Sequence, residues 1–190
     1  MDQQLSFLME IDKLKNVLRK SPLLDQSRKE NSAEHSWHLA LYAMVLHGQE
    51  NEVVNIDRVI RMLLIHDIVE IDAGDHPIHE SSNAEHQKEI ELKAAERIFG
   101  LLPEKQCKEM MELWLEFEAG ESSDATFAKS LDRFQPLIHN VVTDGGTWIE
   151  AKVSKDQVQE RYRHPIAKGS LGLWSKAKEL VDEYFEQKKS

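Results

Sequence analysis

Residues 56–68 constrain the fold most, because this segment is apolar on almost every side of a helix. Such a segment is typical of a buried central helix rather than of one at the surface. His66, Asp67 and Glu70 interrupt or follow the apolar run. A buried charge is costly unless it is paired or bound to a metal. The segment therefore predicts a helical core with a polar site inside it.

Apolar residues recur at helical spacing along most of the chain, which predicts an all-α fold. With 190 residues and no internal repeat or long linker, we expect a single-domain helical bundle over 1–190. A first helix is predicted from about Leu5 to Leu18, before the Ser21–Pro22 step. Further helices are predicted over residues 31–48, 55–68 and 83–99, from Pro103 onward, from Ser123 through 138, from about Gln157, and over 171–185.

Two predicted helices carry details that bear on a site. Asn31 is a candidate N-cap with Glu34 three residues later, which puts His35 in the first turn of the following helix. Asp132 and Pro136 share a later helix, and a proline there cannot donate to the carbonyl of residue 132. We therefore expect a kink close to Asp132.

Composition narrows the classes of function. The formal net charge of -10 disfavours a nucleic acid polymer as a partner, because such binding depends on many Lys and Arg contacts with phosphates. A small anionic substrate is compatible with this charge if a bound cation supplies local positive potential. The apolar runs are too short and too interrupted for a membrane span. The single cysteine, Cys107, and an N-terminus without a secretory pattern predict a cytoplasmic protein.

The adjacent His66 and Asp67 have two interpretations. In one, Asp67 pairs with an arginine such as Arg61 and His66 is a core histidine. In the other, both bind one ion that lies over the helix between them, together with ligands from other helices. Glu70, four residues after His66, adds a third polar group to the same stretch, which favours a site.

The runs SAEHS, HDIVEIDAGD and KSLDRF together resemble the HD-domain phosphohydrolases, and most of all their 5'-deoxynucleotidase branch. The segment GLLPEKQCKEMMELWLEFEAG is also similar to the stretch before the last aspartate of that branch. The resemblance extends over about residues 22–140. It implies a helical fold in which residues of several helices bind a metal ion.

By this resemblance one divalent metal ion is bound by His35, His66, Asp67 and Asp132. Two imidazoles and two carboxylates suit Mn, Co, Ni, Fe or Zn. The resemblance further implies that Glu70 acts beside Asp67 in catalysis by orienting or deprotonating a water molecule. The implied activity is hydrolysis of nucleoside 5'-monophosphates by a homodimer.

Substrate-binding residues are implied in the same way. Asp75, which follows Gly74, is expected to contact the sugar hydroxyl of a nucleotide. Arg28 matches an arginine of the family pattern, and Arg19 and Lys20 lie where the family has another basic residue before a proline. Ser21 departs from an aromatic residue found in part of that branch, so the sugar preference stays open.

The remaining histidines leave further alternatives. His38, one turn after His35, is interpreted as a structural or surface residue, and His139 fits no pattern. His76, His79 and His86 follow the HD pair and raise the alternative of a site with two metals. Two other functions also stay open, which are hydrolysis of a larger phosphorylated molecule such as a guanosine polyphosphate, and a non-catalytic helical binding module.

Overall fold

The computed structural model describes residues 1–75 and 84–188. The chain begins with α1 (Asp2–Ile11), a 3-10 turn (Asp12–Asn16) and a small antiparallel hairpin of β1 (Leu18–Pro22) and β2 (Lys29–Asn31). The next elements are α2 (Ser32–Leu46), α3 (Ile56–Ile65), a second 3-10 turn (His66–Val69) and α4 (Glu70–Ala73). The rest of the described chain forms α5 (Ala84–Phe99), α6 (Glu104–Ala119), α7 (Ser123–Val142), α8 (Gly146–Glu150), α9 (Lys155–Gly169) and α10 (Leu171–Gln187).

The α7 helix is the central element of the bundle. It packs against five other helices, which are α2, α3, α6, α9 and α10. Phe127, Leu131 and Leu137 of α7 are fully buried, as are Leu39 of α2 and Leu63 of α3. The prediction that residues 56–68 are buried on almost every side is met on only one face of α3, because Arg61 and Leu64 are exposed. The central position belongs to α7 instead. Among the described residues, no helix combines the length and the apolar character needed to cross a membrane.

The all-α prediction is confirmed, with the hairpin as a small addition. The predicted first helix is wrong beyond Ile11, because the chain continues as a 3-10 turn and then as β1. Pairing with β2 satisfies backbone groups of β1 that a helix would otherwise bond internally. The hairpin also turns two side chains, Arg19 and Glu30, towards the helices.

The helix caps agree closely with the sequence. Asn31 caps α2 through a complete capping box with Glu34. Two other predicted boundaries are wrong by one residue, since Ser122 rather than Ser123 caps α7, and Pro103 is the cap of α6 rather than its first residue. The reason is extended backbone at both caps, where ψ is 157° at Ser122 and 145° at Pro103.

Two features of the second half of the chain, the length of α7 and the presence of α8, differ from the prediction. The α7 helix continues through Pro136 to Val142, so the proline does not end it, and the expected bend near Asp132 stays a prediction. The short α8 was not predicted. It follows Gly145, whose φ of 110° favours glycine, and it packs against α7 and β1.

Candidate metal centre

The structure brings His35, His66, Asp67 and Asp132 together from three parts of the chain. His35 lies in the first turn of α2, His66 and Asp67 form the start of the second 3-10 turn, and Asp132 lies in α7. All four are buried. The Nε2 atom of His35 is 3.0 Å from Oδ1 of Asp132, and Nε2 of His66 is 2.9 Å from Oδ1 of Asp67. His35, His66 and Asp132 place ligand atoms within 4.8 Å of one another. Asp67 adjoins this group through its Oδ1, next to His66, and its Oδ2, 3.9 Å from Nε2 of His35.

Local backbone structure explains this convergence. The capping box fixes the start of α2 and with it the position of His35. At His66 the α-helical geometry of α3 gives way to a tighter 3-10 turn. The sequence predicted a continuous helix here, and the change to a 3-10 turn alters the angle between His66 and Asp67. A 3-10 stretch within a helical segment often occurs at a functional position.

The hydrogen bonds of His66 indicate which ring nitrogen is free to bind a ligand. Its Nδ1 lies 2.9 Å from the carbonyl oxygen of Leu63, so Nδ1 carries the proton and donates it. Its Nε2 is buried and finds no hydrogen-bond partner among the described residues. This lone pair faces Oδ1 of Asp67 and, at 3.5 Å, Oδ1 of Asp132. An acceptor that faces two carboxylates fits a cation between them, so the donor set suits a bound metal.

The charges of the cluster fit the same conclusion. Burial disfavours a charged imidazole, but Asp67 and Asp132 together raise the pKa of His66 to about 10. Burial likewise opposes the charged form of Asp67, but His66 and Arg19 lower the pKa of Asp67 to about 2. Without a metal ion, protons and the guanidinium of Arg19 therefore supply the positive charge that the carboxylates require.

Arg19, Glu70 and Asp75 surround this cluster. The Nη1 atom of Arg19 donates to Oδ2 of Asp67 at 2.9 Å and lies 3.5 Å from Oδ1 of Asp75 and 3.9 Å from Oε1 of Glu70. Although burial opposes it, these carboxylates raise the pKa of Arg19. The guanidinium is therefore a fixed positive charge at the edge of the candidate metal centre.

Without a metal ion, the surroundings of Glu70 favour its protonated form. Burial first, and then the charge of Asp67, raise the pKa of Glu70 to about 9. Its Oε2 accepts a hydrogen bond from the hydroxyl of Ser32 at 2.5 Å. Burial also raises the pKa of Asp75, which follows Gly74 at the end of α4. Strongly shifted carboxyl groups of this kind are typical of functional sites.

The other predicted substrate-binding residues lie elsewhere. Arg28 is half exposed and donates to both carboxylate oxygens of Glu34, at 2.8 and 2.6 Å. Lys20 is exposed, and its carbonyl oxygen accepts a hydrogen bond from Lys29. Among the contacts of the described residues, those of Arg19 connect a predicted basic residue to the cluster.

His76 and His79, which raised the alternative of a second metal, lie outside the described residues. His86 is exposed on α5. Within residues 1–75 and 84–188, the histidine and carboxylate side chains whose ligand atoms lie close enough together to share an ion do not include His86.

Sequence reasoning missed Glu30. This residue is 2% exposed, and its Oε2 lies 3.4 Å from Nδ1 of His35, so the carboxylate can orient the imidazole from behind. The alternation of strand β2 turns Glu30 inward between its neighbours. That signal could be used only after the hairpin itself had been recognised, and a three-residue strand leaves almost no pattern in the sequence.

The chain is similar in sequence to proteins named 5'-deoxynucleotidase. The 5'-deoxynucleotidase HDDC2 of Homo sapiens is 33% identical over 135 residues, which cover 70% of this chain and 65% of that protein. The chain thus matches somewhat less than two thirds of that relative's length. The 5'-deoxynucleotidase hdd1 of Schizosaccharomyces pombe is 25% identical over 171 residues, which cover 87% of this chain and 85% of that protein.

A solved structure and a family model agree with these relatives. A protein from Magnetospirillum magnetotacticum MS-1, described as a predicted metal-dependent phosphohydrolase, is 51% identical with a TM-score of 0.92. The match covers 98% of this chain and 95% of that one. The sequence model described as HD domain matches residues 11–174. With the HD pair in the buried cluster and most of its length matched, the chain belongs to the HD-domain family.

Proposed function

We propose that the chain hydrolyses nucleoside 5'-monophosphates, deoxynucleotides among them, to a nucleoside and phosphate. The observation that carries this proposal is the buried cluster in which the unpaired Nε2 of His66 faces two carboxylates. The names of the relatives support the reaction, and the acidic net charge accords with a small substrate rather than a polymer.

We propose one divalent ion, bound by His35, His66, Asp67 and Asp132. The set of nitrogen and oxygen donors suits Mn, Co, Ni, Fe or Zn. When bound, such an ion supplies charge stabilisation at the phosphoryl group and lowers the pKa of water.

Arg19 is proposed to bind the phosphate of the substrate. Its guanidinium is held close to Asp67 and Asp75, so it needs little reorganisation before it meets an anion. Its planar arrangement of donors matches the geometry of phosphate oxygens. Arg28 and Lys20 are proposed to act only at longer range, because Arg28 is paired with Glu34 and Lys20 is exposed.

Glu70 is proposed to act on the attacking water molecule, and Asp75 is proposed to bind the sugar. Glu70 would orient the attacking water and accept its proton as the bond between phosphorus and the nucleoside oxygen breaks. That proton would then pass to the nucleoside oxygen, which leaves as a hydroxyl group. The carboxylate form required for this step is favoured by positive charge nearby. Asp75 would accept a hydrogen bond from a sugar hydroxyl, and Ser32 would hold Glu70 in place.

The test measures phosphate release from a panel of 5'-nucleotides after chelated protein is reloaded with Mn or Co. We expect release from nucleoside monophosphates, and in Asp67→Asn the loss of this release together with the loss of one bound ion. The exposed Asp156→Asn is the matched control and should retain both. Full activity in Asp67→Asn would refute the metal role, and activity only on guanosine polyphosphates would replace the proposed substrate.

We further propose a cytoplasmic homodimer in which the whole chain forms one HD-type domain. The lone cysteine accords with a reducing compartment. Exposed apolar side chains on α2 and α3, among them Trp37, Met44 and Leu64, support a contact with a second copy. Sedimentation equilibrium would give the mass in solution, and Trp37→Glu is expected to shift a dimer towards the monomer.

A further inference from the structure

A second group of metal-ligating side chains lies beside the candidate metal centre. It consists of Glu30 on β2, His38 on α2 and His139 on α7, whose ligand atoms all lie within 4.8 Å of one another. Glu30 and His139 are buried and His38 is half buried. The family pattern found in the sequence did not include any of these three residues.

The amide of Gln135 occupies the middle of this group. Its Nε2 lies 3.0 Å from Oε1 of Glu30, 2.9 Å from Nε2 of His139 and 3.4 Å from Nδ1 of His38. An amide nitrogen has two hydrogens, so it cannot donate fully to three acceptors. The Gln135 side chain is fully buried, and its Oε1 lacks a hydrogen-bond partner within the described part of the chain. The guanidinium of Arg19 lies 3.7 Å from Oε2 of Glu30, but on the side of Oε1 and the two histidines acceptors outnumber donors.

The tautomer of His139 fits a role as a ligand. Its Nδ1 lies 3.2 Å from the carbonyl oxygen of Pro22 and donates to it, so Nε2 keeps its lone pair. A histidine that donates one ring N–H to a backbone carbonyl and turns the other nitrogen to a common point has the arrangement typical of metal ligands.

The cluster is also accessible. A cavity of about 330 Å³ is lined by Glu30, His38 and His139, with Trp37 and Arg28 among its other residues. An ion could enter through this cavity without passing through the candidate metal centre. Polar ligands at the end of an accessible cavity meet the requirement of an entry path for a metal site.

We propose that Glu30, His38 and His139 form a second site for a divalent transition-metal cation such as Co²⁺ or Zn²⁺. Rotation of the Gln135 amide would exchange its two polar atoms and offer the unpaired Oε1 as a fourth ligand. Bond lengths of about 2.0–2.2 Å require the donors to close in by about 1 Å on the position now held by the amide nitrogen. Two imidazoles and two oxygens suit Zn, Co and Ni.

Glu30 connects the two sites, and Arg19 lies beside both, with Nε 3.7 Å from Oε2 of Glu30 and Nη1 2.9 Å from Oδ2 of Asp67. Oε1 of Glu30 faces the second site, whereas Oε2 lies 3.4 Å from Nδ1 of His35. Because the two sites otherwise use different side chains, binding at one can be measured while the other is disabled. The proposal therefore does not depend on the nucleotidase activity.

The test counts bound ions. Chelated protein is dialysed against Co²⁺, and cobalt per chain is measured by elemental analysis together with the visible absorption of bound Co²⁺. We expect two ions in the unaltered protein, one in His38→Gln and one in His139→Gln. His164→Gln, which removes an exposed histidine, is the matched control and should keep two. Circular dichroism checks the fold, and His38→Gln serves if the buried His139 position does not tolerate change.

Asp67→Asn separates this proposal from the first metal centre. A single ion that is retained in Asp67→Asn and lost in His38→Gln would support the second site even if the first site binds nothing. A cobalt content that is unchanged in both His38→Gln and His139→Gln would overturn the proposal.

Discussion

At the residue scale, His66 links local backbone structure to chemistry. The Nδ1–H group of His66 donates a hydrogen bond to the carbonyl oxygen of Leu63, so Nε2, which faces the carboxylates, is the nitrogen without a fixed hydrogen. The free nitrogen of a neutral His66 would repel Asp67 and Asp132, whereas a proton or a metal ion there relieves the repulsion. The side chain therefore requires a cation at this point, whether the protein is loaded or metal-free.

Glu70 gives the first prediction at this scale. Glu70→Gln is expected to lower kcat by about 10²-fold or more, since the amide cannot accept the proton of the attacking water. Its metal content should remain unchanged, because Glu70 is not among the proposed ligands. Glu52→Gln, an exposed change of the same type, should leave kcat unaltered. Loss of metal in Glu70→Gln would show instead that Glu70 serves the ion.

Arg19 and Arg28 give the second prediction, since both were candidates for phosphate binding. Arg19→Gln should raise KM by about 10- to 100-fold, as expected for the loss of a hydrogen bond to a charged group of about 1.5–3 kcal/mol. Arg28→Gln should change KM by much less, because Arg28 is paired with Glu34. Inhibition by inorganic phosphate should weaken in parallel with KM. The reverse order of effects would assign the phosphate to Arg28.

At the element scale, the start of α2 connects helix stability to the site. The capping box of Asn31 and Glu34 fixes the turn that carries His35, and Glu30 supports His35 from the adjacent strand. Helix α9 begins with a capping box of the same kind, formed by Ser154 and Gln157, but it carries none of the proposed ligands. The chain thus contains its own comparison between a cap that serves a site and a cap that serves only a helix.

This comparison gives the third prediction. Asn31→Ala and Ser154→Ala should each lower the free energy of unfolding by about 1 kcal/mol, since each leaves a helix N-terminus without its side-chain acceptor. Asn31→Ala should also weaken metal binding, because the first turn of α2 would fray around His35. Urea unfolding gives the stabilities, and titration with Co²⁺ gives the affinities. Equal affinities in the two variants would mean that packing alone positions His35.

The success of sequence-based prediction also differs between elements. Asn31 and Asn55 could be identified as caps because short polar side chains before apolar helical runs satisfy free backbone N–H groups. The hairpin could not be identified from the sequence, because its strands are short and pair across a segment that has no recognisable turn pattern. Glu30 was missed for that reason. The convergence of His35 and Asp132 on the HD pair came only from the family resemblance, since no local rule relates side chains 97 residues apart.

At the scale of the whole molecule, the proposed substrate is an anion, whereas the net charge of the protein is -10. Positive potential therefore has to be local, and it is concentrated where Arg19 and the proposed ions lie among buried carboxylates. The same carboxylates destabilise the metal-free fold, because several negative charges lie close together in one buried volume. Stability and metal binding are thus coupled through the whole bundle, since α2, α3 and α7 all contribute side chains to the cluster.

The last prediction concerns the metal-free protein and pH. The pKa of His66 is raised to about 10 and that of Glu70 to about 9, so the folded chain holds protons that the unfolded chain has already released. The contribution of Glu70 is complete below pH 4.5 and that of His66 below pH 6.5, and both are lost as the pH rises towards 9 and 10. The midpoint temperature of thermal unfolding of the metal-free protein should therefore decrease as the pH is raised from 6.5 to 9.

Saturating Co²⁺ should raise that midpoint and remove most of its dependence on pH, because the ion replaces the protons as the source of positive charge. Scanning calorimetry of metal-free and loaded protein at pH 6.5, 7.5 and 9 measures both effects. Glu70→Gln carries no titrating group at this position, so its metal-free midpoint should fall less steeply with pH. Identical pH dependence with and without Co²⁺ would contradict the view that protons and the ion compete for the same buried carboxylates.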